Sequence, residues 1–168
     1  MKRLVRPVVL FKVKSDNNAP ENNPIHWRSG NDAKMNQAIE KSQNTFGDFY
    51  NALKSSIKEN RAFDVSLVKY MVKAELHGVE AEHLFASDLY ITENGDLIGY
   101  ICSDPEHTRK IKNGDKVTIN KDNISDWAYV ENGNAYGGNT FSAMWDAFTR
   151  AEKSSYKDQP PFIWFNFK

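Results

Sequence analysis

VSLVKYMVKAEL (65–76), EAEHLFASDLYIT (80–92) and DLIGYICS (96–103) are three runs in which side chains change character with a period of two. That alternation sends successive side chains to opposite faces of a β-sheet. Turn residues stand between the runs: His77-Gly78 after the first and Asn94-Gly95 after the second, where tight hairpins are wanted. Three antiparallel strands follow. Further on, KVTIN (116–120) supplies another strand, NISDW (123–127) reads as a turn, and AYVENGNAYGG (128–138) reads as a hairpin around Asn132-Gly133. Between them, Asp104-Pro105 has the form of a helix start, an acidic cap followed by proline, and Asn113-Gly114 ends it.

Upstream of the strands the period is helical. Met35, Ala38, Ile39, Phe46, Phe49, Tyr50, Leu53 and Ile57 recur at threes and fours, predicting one long amphipathic helix over 31–60. Asn31 or Asp32 is placed to cap it, and Gly47 inside it costs about 1 kcal/mol relative to alanine. Burial of its large apolar side chains, at about 1.5–3 kcal/mol each, offsets that cost. Met144, Trp145, Ala147, Phe148 and Ala151 predict a second, shorter helix over 140–153. The tail PPFIWFNF (160–167) is too aromatic to hang free and is expected to pack on the domain or on a partner. At the other end, Leu4–Val13 reads as an edge strand around Pro7, and Ser15–Gly30 as a long loop anchored by Trp27.

These elements define an α+β protein: a curved antiparallel sheet of five or six strands, with enough curvature to be barrel-like, packed by the long N-terminal helix and the shorter C-terminal one. The 168 residues make one domain. Its parts are an N-terminal strand and loop (1–30), the helix (31–60), the β core (68–140) and a helix with an aromatic tail (141–168). Lysine plus arginine and aspartate plus glutamate number 22 each, so no net field favours nucleic acid or an anionic membrane. Cys102 is the only cysteine, which rules out an intramolecular disulfide and any cysteine-rich zinc site. No stretch approaches the ~20 apolar residues of a membrane span. Arg6, Pro7, Lys12 and Lys14 break up the start before a signal-peptide core can form, so a cytoplasmic location is expected unless an upstream leader has been removed.

The run from about Val68 to Thr140 resembles the bacterial DUF2314 family. The features carrying the resemblance are Glu82-His83 leading into a strand, the short segment after Asp104-Pro105, Gly114-Asp115-Lys116-Val117, Ile124-Ser125-Asp126-Trp127 and Gly137-Gly138-Asn139-Thr140. The family resemblance implies small stand-alone proteins or lipoproteins, some in toxin-immunity settings. A lipobox cysteine is lacking near the start, so the lipoprotein form is not expected.

Each chemically suggestive residue has a structural counter-reading. His83 beside Glu80 and Glu82 suggests metal or acid–base chemistry, but strand alternation puts the two carboxylates on one face and His83 on the other. His26, His77 and His107 are scattered singly. Asp126 is expected to be buried, accepting backbone amides after an Ile124-Ser125 turn, while the Trp127 indole fills the core and donates to a carbonyl. The alternative makes Asp126, Trp127 and Tyr129 a recognition patch. Gly137-Gly138 could cradle phosphate, but no lysine follows and Thr140 reads more simply as an N-cap. Cys102 reads as a small buried hydrophobe, and Arg109, Lys110, Lys112 and Lys116 as a solvated basic face or a contact for an acidic partner.

The leading expectation is a non-enzymatic protein-binding module without catalytic residue, metal or cofactor, an immunity protein whose partner is a toxin. Trp145 and Trp164 are its candidate anchors. One competing reading gathers His83, Asp88, Asp126 and Tyr129 into a pocket for a small ligand or a hydrolytic reaction. The other makes the chain a subunit of a homo-oligomer joined by strand addition.

Overall fold

The computed structural model describes residues 33–74 and 81–167. The strand expected at Leu4–Val13, the loop with Trp27 and the His77-Gly78 turn lie outside them.

Instead of one long helix there are two, α1 (Ala33–Asn44) and α2 (Phe46–Lys58). The break is at Thr45, not at Gly47. Both the amide and the hydroxyl of Thr45 donate to the Lys41 carbonyl, and its ψ opens to 6°. Side-chain bonding of this kind competes with the next helical turn. The apolar stripe survives the break, with Ala38, Phe49 and Leu53 buried, although Ile57 at its end is exposed.

Six strands follow: β1 (Val65–Lys73), β2 (Ala81–Ile91), β3 (Leu97–Ile101), β4 (Lys116–Thr118), β5 (Ile124–Glu131) and β6 (Asn134–Gly137). Among the described residues they form one antiparallel sheet in the order β4-β3-β2-β1-β5-β6, not closed into a barrel. The turns at Asn94-Gly95 and Asn132-Gly133 fall where expected, with Gly95 and Gly133 at positive φ.

Two sequence expectations fail in this region, each for a local reason. Asp104–Asn113 is irregular, not helical: the Lys110 amide donates to Thr108 Oγ1 (3.3 Å), and the Glu82 carboxylate ties the segment to β2 through the amides of Glu106 (2.6 Å) and His107 (2.9 Å). Asn113 Nδ2 also donates to Asp104 Oδ1. Ile124-Ser125-Asp126-Trp127 is strand, not turn. Its polarity reflects a bulge, since Lys69 pairs with Asp126 while Tyr70 pairs with Ile124, leaving Ser125 as the extra residue.

Apolar layers cover both faces. On one, Phe49 and Leu53 of α2 meet Val68, Val72, Leu84, Ile124 and Trp127. On the other, Leu67, Phe85 and Ala128 lie under three more helices: α3 (Asn139–Ala147), α4 (Arg150–Tyr156) and α5 (Phe162–Phe165). The second predicted helix is thus split, and its second part begins at a capping box of Thr149 and Glu152. The aromatic tail packs on the domain as expected, with Phe162 buried against Phe141 and Trp145.

Candidate functional site

β6 pairs with Ala128–Glu131, so among the described residues the first half of β5 has no strand neighbour on that side. There α1 lies alongside: Gln43 Nε2 donates to the Ile124 carbonyl (2.9 Å), and the Trp127 indole Nε1 donates to the Ser42 carbonyl (3.0 Å). The bulge at Ser125 lets Ile124 and Trp127 both enter the α2-side core while Asp126 turns toward the first turn of α3.

Asp126 is fully buried and its carboxylate gathers five donors. Oδ2 accepts the hydroxyl (2.6 Å) and amide (2.7 Å) of Thr140, and Oδ1 faces Ser42 Oγ (2.8 Å), the Trp127 amide (2.9 Å) and the Asn139 amide (3.2 Å). Ser42 Oγ shares its one proton between Asp126 and the Ala38 carbonyl, and accepts from Asn139 Nδ2. α3 therefore receives its capping acceptor from a strand. Its own N-cap is Gly138, which has no side chain, and Thr140 is not the N-cap expected from the sequence but a donor into Asp126. The expectation of a buried aspartate holding amides and an indole donating to a carbonyl holds.

Behind Asp126, Lys69 extends over the Phe141 ring at 5.9 Å. Burial pushes the Lys69 ammonium below the usual lysine range, opposed by attraction to Asp126. His83 lies next along this face, its Nδ1 2.8 Å from Ser125 Oγ. Ser125 Oγ donates its proton to the Lys69 carbonyl (3.1 Å), so it accepts from His83, which fixes the proton on Nδ1 and leaves Nε2 as an acceptor. His83 is exposed as a residue, so solvent screens it in part, while its Nδ1 is held against Ser125. Desolvation, with repulsion from Lys69, lowers its pKa from 6.5 to about 4.

The remaining candidates separate. Asp88 sits in a second bulge, between Ser87 and Tyr90, with φ 50° and with Gly99 on the paired strand opposite. It lies five residues from His83, roughly 15 Å along the strand. Tyr129 points to the α2-side core, stacked between Phe63 (4.3 Å) and Tyr136 (4.7 Å), and burial with Tyr136 nearby pushes its phenol up. His83, Asp88, Asp126 and Tyr129 therefore do not line one pocket: only His83 and Asp126 share a neighbourhood, through Ser125 and Lys69. An open groove of about 620 Å³ at the far end of β1, lined by Tyr70, Lys73, Thr108 and Lys110 among others, contains none of His83, Asp88, Asp126 and Tyr129. Trp145 is buried with Lys153 over its ring at 5.5 Å, and Trp164 packs in the same cluster. Cys102 is partly buried, not part of the core, and desolvation raises its thiol. No group of three metal-ligating side chains occurs among the described residues.

Ser42 and Lys69 are not singled out by the sequence, and Ser125 and Thr140 stand there only as turn and cap residues, not as partners of His83 and Asp126. Ser42 and Thr140 reach Asp126 from 84 and 14 residues away, contacts that no local pattern announces.

The fold and this strand-held helix cap define a class of small α+β proteins built on an open antiparallel sheet. The chain belongs to the DUF2314 family, described as uncharacterised proteins conserved in bacteria, whose profile matches residues 32–162. It is 29% identical over 137 residues to a Neisseria meningitidis serogroup B protein named as an ankyrin repeat protein, an alignment covering 79% of this chain and 53% of that one. It is 32% identical over 108 residues to the uncharacterised protein YegJ of Escherichia coli K12, covering 60% of this chain and 69% of YegJ. The chain thus spans about half the length of the first relative. No solved structure matches it. Among the described residues no helix is long and apolar enough to cross a membrane.

The His83 geometry gives a pH prediction. Unfolded His83 takes up a proton near pH 6.5, whereas the folded residue resists protonation until about pH 4. Between those values the unfolded chain binds more protons, so the His83 contribution to stability is lost as pH falls from 6.5 to 4 and changes no further below. Carboxylates also titrate at low pH, so the measurement is a comparison of urea midpoints for wild type and His83→Gln. The wild type should lose stability relative to the variant across that window. Parallel curves would show that the imidazole is not held neutral.

Proposed function

We propose that this chain is a non-enzymatic protein-binding module, a scaffold whose buried polar groups hold backbone and whose exposed side chains meet a partner. The observation that carries this reading is Asp126: all five of its donors come from the chain itself, and together they join α1, β5 and α3. A carboxylate so engaged serves architecture. Binding then falls to the surface, where Arg109, Lys110, Lys112 and Lys116 are exposed from the irregular segment onto edge strand β4. Such a strip suits an acidic protein surface. The name of the Neisseria relative lends support, since ankyrin repeats stack into extended binding surfaces. The toxin-immunity settings implied by the family suggest a toxin as partner, met in the cytoplasm.

The test is affinity capture of the tagged full chain from its native host, with wild type beside a Lys110→Glu, Lys112→Glu double variant. A stoichiometric partner held by wild type and lost in the variant is the expected result. Recovery of wild type with nothing specific bound, and with no toxin gene beside its own, would overturn the proposal.

A further inference from the structure

Lys69 and His83 stand on one face of the sheet. In the register of β1 and β2, Lys69 pairs with Phe85 and Met71 with His83, so the two side chains are diagonal neighbours within reach of each other. Ser125 joins them, its Oγ 2.8 Å from His83 Nδ1 and donating to the Lys69 carbonyl. Lys69 is half-buried, with its Nζ 5.9 Å from the centre of the Phe141 ring. Among the described residues no hydrogen bond or ion pair engages that Nζ. Asp126 attracts it, but the oxygens of that carboxylate already serve five other donors. An ammonium drawn out of water ordinarily has an acceptor.

The neighbours decide which acceptor fits. With Asp126 alongside and a single ammonium to offset it, a dianion is disfavoured. Met71 and Phe85, both half-buried, add an apolar wall to the same face. His83 is exposed, and with its one proton on Nδ1 its Nε2 can take a second. Among the described residues β1 adds the exposed Lys73 to this face, while Ala81, Phe85 and Ser87 of β2 and Asn139, Thr140 and Phe141 of α3 bring no charge.

We infer that Lys69 and His83 form a binding site for a small carboxylate with an apolar body, which pairs with the Lys69 ammonium while His83 Nε2 takes a proton from solvent. The carboxylate supplies the acceptor that Lys69 lacks, in a charge-assisted bond. Its charge also offsets the repulsion between Lys69 and a protonated His83, so anion binding and protonation favour each other. The site is separate from the basic strip assigned to a partner, and the inference does not rest on that role.

Calorimetric titration of the full chain with butyrate tests it. Butyrate should saturate a single site and take up close to one proton, measured in buffers of different ionisation heat. Its affinity should rise by up to about tenfold as pH falls from 7 to 6. Lys69→Met should weaken butyrate by about tenfold or more, while Lys54→Met on the exposed side of α2 should not. His83→Gln should abolish the proton uptake and the pH dependence. If Lys69→Met fails to fold, the comparison with His83→Gln decides. Inorganic phosphate should bind more weakly than butyrate, as should glutamate blocked at both ends, which stands in for the side chain of a protein partner. Absence of saturation, binding indifferent to Lys69→Met, proton uptake that survives His83→Gln, or either competitor equalling butyrate overturns the inference.

Discussion

Replacing Asp126 by alanine is expected to lower stability by on the order of 3–5 kcal/mol, which is most of what a domain of this size holds in reserve. The carboxylate is fully buried, and its removal leaves the amides of Asn139 and Thr140, the Thr140 hydroxyl and the Trp127 amide without their acceptor. Water cannot reach these groups without opening the junction of α1, β5 and α3. The first turn of α3 suffers twice, losing its cap and the negative charge that complements its dipole. Lys69 then remains desolvated without the carboxylate that draws it. Asp126→Asn should cost less, roughly 2–3 kcal/mol, because one oxygen remains while the new amide hydrogens confront the Thr140 donors. Urea unfolding followed by circular dichroism measures both. An alanine variant within about 1 kcal/mol of wild type would mean that water replaces the carboxylate and that the junction is not closed.

Much of that junction was legible in the order of residues, and what was not has a physical cause. An aspartate next to a tryptophan in an apolar run has few options beyond burial, so Asp126 as an amide acceptor and Trp127 as a donor could be read directly. The donors could not: Ser42 and Thr140 are ordinary residues made important by the approach of α1 and α3 to β5. The strand containing Asp126 was misread as a turn because a bulge breaks the period of two on which strand reading depends. Long-range pairing also overrode local preference elsewhere. Asp104-Pro105 has good helix-start chemistry, but Glu82, 24 residues away from Glu106, ties the segment to β2, and Asn113 closes back on Asp104 instead of ending a helix. Periodicity found the stripe of α1 and α2 and missed their break, since Thr45 interrupts the backbone without disturbing the apolar spacing. The aromatic tail was placed correctly on bulk hydrophobicity alone, while the residues it covers depend on tertiary packing.

The glycine pair that turns β6 into α3 should show the second large effect, with Gly137→Ala costing more than Gly138→Ala. Both glycines have positive φ, 77° and 71°, where an alanine pays about 1–2 kcal/mol for its backbone conformation alone. At Gly137 a Cβ would also run into the carbonyl oxygen and the ring of Trp127, which the Asp126 and Ser42 contacts hold in place. At Gly138 it would meet the ring of Phe165 on α5, a four-residue helix near the end of the chain that has room to shift. Overpacking against a fixed neighbour adds about 1–3 kcal/mol, so Gly137→Ala should total roughly 2–5 kcal/mol and Gly138→Ala should fall at the lower end of that range. The Gly138 amide donates to the Trp127 carbonyl, placing the next two amides over Asp126. Gly137→Ala and Asp126→Ala therefore damage one junction, and the double variant should lose clearly less than the sum of the two single losses. Simple additivity in urea unfolding would mean that the turn and the carboxylate act apart, and that α3 is held to the sheet by its apolar face alone.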